Sequence, residues 1–275
     1  MIKGKVAVIT GGGGVLCSAF AKELASKGAK VAVLDLRIEA AKAVSDSIRK
    51  EGGVSFYYKA DVLDKANIEA VREKINKDLG MCDILINGAG GNSPKATTTY
   101  ETFDTAHLHD KDITTFFDLD PKNINNLFQL NFTGTFIPTQ VFAKDMATRG
   151  GTILNISSMS AYSPMTKVMA YSAAKAAISN FTMWLAVHFA PSNIRVNAMA
   201  PGFFDTNQNH ALLFNSDNTP TQRTKKILSQ TPLNRLGEVK DLLGTLIYLC
   251  DDEMSGFVTG AVIPVDGGFL AYSGV

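Results

Sequence analysis

The chain has 275 residues, enough for one large α/β domain or two small ones, and 27 Lys+Arg against 26 Asp+Glu leave almost no net charge. That balance excludes an electrostatic grip on nucleic acid or on an anionic membrane. Cys17, Cys82 and Cys250 stand far apart with no C-x-x-C spacing, which excludes a disulfide framework and points to reduced, buried thiols. The first ten residues already carry a strand pattern rather than a secretory signal. No apolar stretch reaches the roughly 20 residues a bilayer span needs, so a cytoplasmic protein is expected.

Strand-like and helix-like segments then alternate. Val6-Ala7-Val8-Ile9 is a short apolar run ending in glycines, followed by a helical pattern from Val15 to Lys27 closed by Gly28. Val31 to Leu34 predicts a second strand, Ile38 to Glu51 a second helix, Val54 to Lys59 a third strand and Asp64 to Leu79 a third helix. Ile84-Leu85-Ile86 predicts a fourth strand, with later strands at Ile153–Ile156, Ile194–Asn197 and Val262–Val265. Helical patterns cover Pro121 to Met146 and Val168 to Phe189, whose Phe128, Phe132, Phe136, Met183, Trp184 and Phe189 are assigned to the core. Short, all-apolar strands are what a parallel sheet covered on both faces requires. Glycine after each early helix is a C-cap signature. The expectation is a doubly wound, Rossmann-like α/β sheet in one domain over residues 1–275. Two long polar stretches interrupt it, an insert over about 91–121 and a loop over about 203–235. Loops of that length in a compact domain are usually functional.

The loop after the first strand, Thr10 to Cys17, is rich in glycine. Gly11, Gly13 and Gly14 permit close backbone approach, and Val15 and Leu16 open a helix whose free N–H groups and positive dipole end suit a pyrophosphate. Asp35 ends the second strand, where a carboxylate accepts from the ribose hydroxyls of NAD and repels the 2′-phosphate of NADP. Arg37 pulls the other way, so NAD is the expected cofactor and NADP the lesser alternative. Tyr171 and Lys175 sit four apart on one helix face, about 6 Å from each other. An ammonium there is expected to lower the phenol pKa toward the working range. His107 and His109, with Asp104 and Asp110 near them, have only a superficial metal-site spacing, and no metal is expected.

Taken in order, these pieces resemble the short-chain dehydrogenase/reductase family from residue 3 to the C-terminus. Thr10-Gly11 begins its glycine turn, Asp61-Val62 looks like its adenine-contacting pair, and Asn87-Gly88-Ala89-Gly90 is similar to its Asn-Asn-Ala-Gly motif. Asn131, Ser158, Tyr171 and Lys175 match its active-site positions, and Pro201-Gly202, with Thr206 beyond, matches the turn near the nicotinamide. Val265-Asp266-Gly267-Gly268 resembles its C-terminal motif. Two departures stand out: Val15 and Cys17 replace the last two glycines of the usual turn, and Gly88 replaces the second Asn.

The resemblance implies an alcohol/ketone oxidoreductase in which Tyr171 transfers the proton, Lys175 tunes it and holds the nicotinamide ribose, Ser158 bonds the substrate oxygen and Asn131 holds a water. Gly11, Gly13, Gly14, Val15, Leu16, Asp35, Asp61, Val62, Asn87, Ala89, Gly90, Tyr171, Lys175, Pro201, Gly202 and Thr206 are the expected cofactor contacts. Ser157 alternates away from Ser158 and is read as a hydroxyl satisfied inside the fold. Within the family, the glycine turn, the insert and the C-terminal Val-Asp-Gly-Gly-Phe ending look similar to bacterial D-mannonate oxidoreductases, which implies a sugar-acid substrate. Another polyol, a gluconate-like acid or a non-acidic ketone stays open, and a non-catalytic dinucleotide-binding regulator is the remote alternative. A carboxylate needs a cation, and Lys95, Lys167, Arg223 and Lys225 are candidates, with Asn92, Ser93, Asn207 and His210 for hydroxyls. A homotetramer or homodimer is implied, with no nucleic-acid or membrane partner.

Overall fold

The computed structural model describes residues 1–206 and 210–274. Seven parallel strands run in the order β3-β2-β1-β4-β5-β6-β7. They span Val6–Thr10 (β1), Lys30–Asp35 (β2), Val54–Lys59 (β3), Ile84–Asn87 (β4), Gly151–Ile156 (β5), Ile194–Pro201 (β6) and Val262–Val265 (β7). The strand order reverses direction between β1 and β4, the place where such sheets open a crevice at their carboxyl ends.

Helices cover both faces. On one side lie α1 (Val15–Ser26), α2 (Ile38–Lys50) and a later helix, Lys240–Cys250, which pack into one core with Phe20, Leu24, Ile48 and Leu246. On the other lie α3 (Lys65–Asp78) and the helices Gly134–Met146 and Met169–Phe189, whose core holds Ile68, Ile75, Phe142 and Leu185. Every residue of β1, β4 and β6 is buried, which explains their largely apolar sequence, with Thr10, Asn87, Arg195 and Asn197 as the buried polar exceptions. Among the described residues, no helix is long and apolar enough to cross a membrane.

The region expected as one helix from Pro121 to Met146 is three pieces. Helix α4 (Pro121–Phe128) gives way to a π turn over Gln129–Thr133, and α5 (Gly134–Met146) follows. The cause is local. The Asn131 side chain donates to the Leu127 carbonyl four residues back, at 2.9 Å, and the Thr135 hydroxyl does the same to the Asn131 carbonyl. Side chains that compete for i−4 carbonyls disturb a helix in this way. The next helix, α6 (Met169–Phe189), is continuous. Three aromatic and sulfur side chains expected in the core are instead exposed on the single chain: Phe136, Met183 and Trp184, the last by 57%.

Candidate active site

The carboxyl ends of the parallel strands bring the candidate residues to one edge of the sheet. Thr10, Asp35, Asn87, Ile156 and Pro201 each end or nearly end a strand, and their registers align them side by side. At the end of β1, Gly11 adopts a positive φ of 63°, and a Cβ there would lie 2.9 Å from the Ala89 Cα. Only glycine fits both conditions. The Thr10 hydroxyl accepts from the Gly88 and Ala89 N–H groups at 3.1 and 3.2 Å, tying the β1 turn to the β4 turn.

Gly13 is closed in as tightly. An added Cβ would meet the Ala40 Cβ at 2.6 Å and the Asp35 Oδ2 at 2.9 Å. Its N–H donates to Asp35 Oδ2 at 3.0 Å, while Asp35 Oδ1 accepts from the Arg37 N–H at 2.9 Å. The Asp35 carboxylate is therefore buried and aimed at the glycine turn, with the exposed Arg37 Nε 3.6 Å from it. Helix α1 begins at Val15 and Leu16, and no side chain caps it. Its first N–H groups face the turn with a positive dipole end.

The two departures in the glycine motif explain each other. The Cys17 Sγ occupies the space that a Cβ on Gly88 would need. A sulfur on α1 has taken the place of a side chain on the β4 turn, and the helix–sheet packing closes around it. Burial pushes the Cys17 thiol pKa up to about 12, so it stays protonated.

The Asn87 side-chain amide turns into the fold. Its Nδ2 donates to Thr139 Oγ1 and Asn155 Oδ1, each at 2.9 Å, deep between β4 and α5. The chain continues as Asn155 Nδ2 donates to Thr182 Oγ1 at 2.9 Å and Thr139 Oγ1 to the Thr135 carbonyl at 2.8 Å. The Asn87 side chain, at a position expected to contact the cofactor, is the middle of a buried polar strut that joins α5 to α6. The Asn131-x-x-x-Thr135-x-x-x-Thr139 spacing was the available signal for it, since such threonines bond carbonyls one turn back.

Asp61 and Val62 follow β3. Val62 is buried against Gly134, and the Asp61 Oδ1 accepts from the Leu63 N–H at 2.9 Å. On the opposite flank Pro201 closes β6, and the Gly202 N–H donates to the Val265 carbonyl at 2.9 Å. The Thr206 carbonyl accepts from the His210 N–H at 2.8 Å.

Ser158, Tyr171 and Lys175 converge beside the β5 end. Ser158 caps a single 3-10 turn over Met159–Ala161. Its hydroxyl is the neighbour that draws the Tyr171 phenol pKa down. Burial outweighs it and leaves Tyr171 above the ordinary tyrosine value, contrary to the lowered value expected from Lys175. The reason is where the ammonium goes. Lys175 Nζ donates to the Ile156 carbonyl at 2.8 Å and stands 5.5 Å from the Tyr171 ring centroid. Burial lowers the Lys175 pKa to about 8.

Asn131 is fully buried. Its Oδ1 accepts from the Gly91 N–H at 3.1 Å, and its Nδ2 donates to the Gly91 carbonyl at 2.9 Å. It thus pins the root of the long insert beside Lys175. Gly90 lies against both, since a Cβ there would sit 2.7 Å from Asn131 Oδ1 and 3.4 Å from Lys175 Nζ. Ser157 points away: its hydroxyl donates to the Lys175 carbonyl at 3.1 Å and pairs with Ser179 at 2.7 Å.

The sugar-acid candidates are more scattered. Asn92 and Lys95 are exposed, and Ser93 precedes the short turn Pro94–Ala96 without capping it through its side chain. Lys167 holds a left-handed φ of 70°, and its carbonyl accepts from the Thr98 N–H at 3.1 Å, joining the insert to the approach of α6. Such a backbone is uncommon for a long side chain and is held by its surroundings. His210 pairs with Asp205 at 3.0 Å, which raises its pKa, and stacks on Phe214. Arg223 and Lys225 are exposed on α8 (Gln222–Ser229), which follows the short α7 (His210–Leu213). Lys226 of that helix pairs with Glu101 of the insert at 3.1 Å, so the two long loops touch. Asn207 lies outside the described residues. The two insert histidines stay apart in role: His107 stacks on Tyr100, and no metal-binding group occurs among the described residues.

The short chain dehydrogenase family model matches residues 5–215. An oxidoreductase of Haemophilus influenzae, uncharacterized as to reaction, is 55% identical across the whole chain and 96% of its own length. An uncharacterized Bacillus subtilis oxidoreductase, UxuB, is 54% identical across the whole chain and 98% of its own length. A crystal structure from Haemophilus influenzae, provisionally named a D-mannonate oxidoreductase and holding NAD, superposes with a TM-score of 0.96. It is 54% identical, over 99% of this chain and 97% of that one.

Proposed function

The chain belongs to the short-chain dehydrogenase family of oxidoreductases acting on alcohol and ketone groups, and we propose that it is an NAD-dependent enzyme interconverting D-mannonate and D-fructuronate. The observation that carries the reaction is the meeting of Ser158, Tyr171 and Lys175 beside a glycine turn closed by Asp35. The provisional name and bound NAD of the Haemophilus influenzae structure support the substrate and the cofactor.

The residues present fit NAD. The cradle formed by Gly11 and Gly13 admits no Cβ, the α1 N-terminus is uncapped, and Asp35 supplies a buried acceptor for ribose hydroxyls. When bound, the nicotinamide supplies or accepts the hydride. Asp35 orients the adenosine ribose and disfavours a 2′-phosphate. In the reductive direction Tyr171 gives its phenolic proton to the carbonyl oxygen as negative charge grows there. Ser158 donates to the same oxygen and holds it in line. Lys175, with a pKa near 8, keeps a cation beside the phenol and would hold the nicotinamide ribose of the bound cofactor. Asn131 fixes Gly91 and so sets the wall of the cleft next to Lys175. Lys95, Lys167 and Arg223 offer the cation that a sugar-acid carboxylate requires, and Ser93 and His210 offer hydroxyl partners. The exposed Met183 and Trp184 of α6 support pairing of this face with a second copy.

The test is NADH oxidation by the purified protein against D-fructuronate, other keto sugar acids and simple ketones. Preference for D-fructuronate is expected. Turnover confined to non-acidic ketones would reject the substrate and leave the reaction class standing.

A further inference from the structure

We propose that Ser160 is a positioning residue for this reaction: its hydroxyl fixes Ser158 so that the single O–H of Ser158 is donated into the cleft. The inference rests on the roles given above to Ser158 and Tyr171. A serine hydroxyl has two acceptor sites and one proton to give. Both acceptor sites of Ser158 are taken by one residue. The Ser160 N–H donates to Ser158 Oγ at 3.2 Å, and the Ser160 hydroxyl donates to it at 3.0 Å. The proton of Ser158 therefore has nowhere to go except to the oxygen on its open side, which is the Tyr171 phenol or a substrate oxygen beside it.

Burial makes the arrangement specific. Ser160 is 1% exposed, in the 3-10 turn between Met159 and Ala161. A hydroxyl there needs a partner to offset its lost hydration. The partner it has is Ser158 Oγ. The result is a one-way relay, Ser160 O–H to Ser158 O–H to the reacting oxygen, in which each bond polarises the next. An alanine at 160 would keep the backbone N–H and the turn but free one lone pair of Ser158. Ser158 could then turn to accept the Tyr171 proton, the wrong direction for proton donation to a carbonyl.

The experiment is a double-mutant cycle on NADH oxidation with D-fructuronate, using Ser160→Ala, Ser158→Ala and the pair. Ser160→Ala is expected to lower kcat about tenfold, the equivalent of ~1.4 kcal/mol, with the KM for NADH unchanged. Ser160→Cys, close in size and a weak donor, is expected to fall between, and carries the test if the alanine variant does not fold. In the Ser158→Ala background, Ser160→Ala should cost nothing further, because its effect passes through Ser158. An equal loss in both backgrounds, or wild-type kcat in Ser160→Ala, overturns the role of Ser160 alone. Full turnover by Ser158→Ala overturns the reading of the site and this inference with it.

Discussion

The two sides of the cleft are built on different physics. On the nucleotide side the groups are locked by backbone. Asp35 is held by two N–H groups, Gly11 and Gly13 leave no room for a side chain, and Cys17 fills the space facing Gly88. On the other side, the two long loops meet near solvent through the Glu101–Lys226 pair, and the Thr98–Lys167 hydrogen bond ties the insert to the approach of α6. The insert also carries Phe116 and Phe117 at 62% and 67% exposure. The difference teaches where each property resides. Groups fixed at strand ends hold one geometry, whereas the loops can change without disturbing the sheet.

The comparison can be broken most forcefully at Gly88. Gly88→Asn forces a side chain into the Cys17 sulfur and should destabilise the protein by about 3 kcal/mol, the upper end of overpacking costs. Adding Cys17→Gly should recover much of that loss in chemical denaturation. No recovery would show that the two positions are not a pair.

Lys175 gives an effect of similar size that depends on pH. Its folded pKa of about 8 lies below the unfolded value of 10.5, so the unfolded chain binds more protons between those limits. Stability owed to this residue is therefore reduced below pH 8 and rises as pH climbs through the window, by about 3 kcal/mol in full. Relative to Lys175→Met, the ligand-free wild type should gain stability from pH 7 to pH 10. A constant difference across that range would refute the burial of the ammonium.

Asp35→Asn should raise the KM for NADH roughly tenfold and narrow its advantage over NADPH, since hydrogen bonds to a charged acceptor contribute about 1.5–3 kcal/mol. Steady-state kinetics with both cofactors decides it. The smallest effect belongs to the loops. Glu101→Gln removes one half of an exposed pair and should lower the unfolding free energy by less than about 1 kcal/mol, leaving the KM for NADH untouched. A large loss of stability would mean that the loops are as integral as the sheet.

The sheet was legible because burial on both faces writes itself as short apolar runs, and all seven strands match the predicted ones or extend them by at most four residues. Glycines with a positive φ, Gly11 above all, marked the turn for the same steric reason. What escaped the sequence were features set by side chains meeting across the fold. Asn87 reads as a cleft residue from its motif, yet its amide turns inward to Thr139 and Asn155. The π turn at Asn131 is one residue out of phase in an otherwise helical pattern, too small a change for periodicity to register. Trp184 and Met183 look like core residues by composition, because helical spacing cannot tell a face packed inside the chain from one left exposed on its surface. The direction of the Tyr171 pKa also escaped: spacing places Lys175 on the same face, but the ammonium bonds the Ile156 carbonyl and burial prevails.

The account stands or falls on proton transfer by Tyr171. The decisive measurement is kcat for NADH-dependent reduction of D-fructuronate by Tyr171→Phe, with folding and NADH binding checked in parallel. A phenyl ring keeps the packing and removes the proton, so kcat should drop by roughly 10³-fold while NADH still binds. Turnover at the wild-type rate would contradict the account.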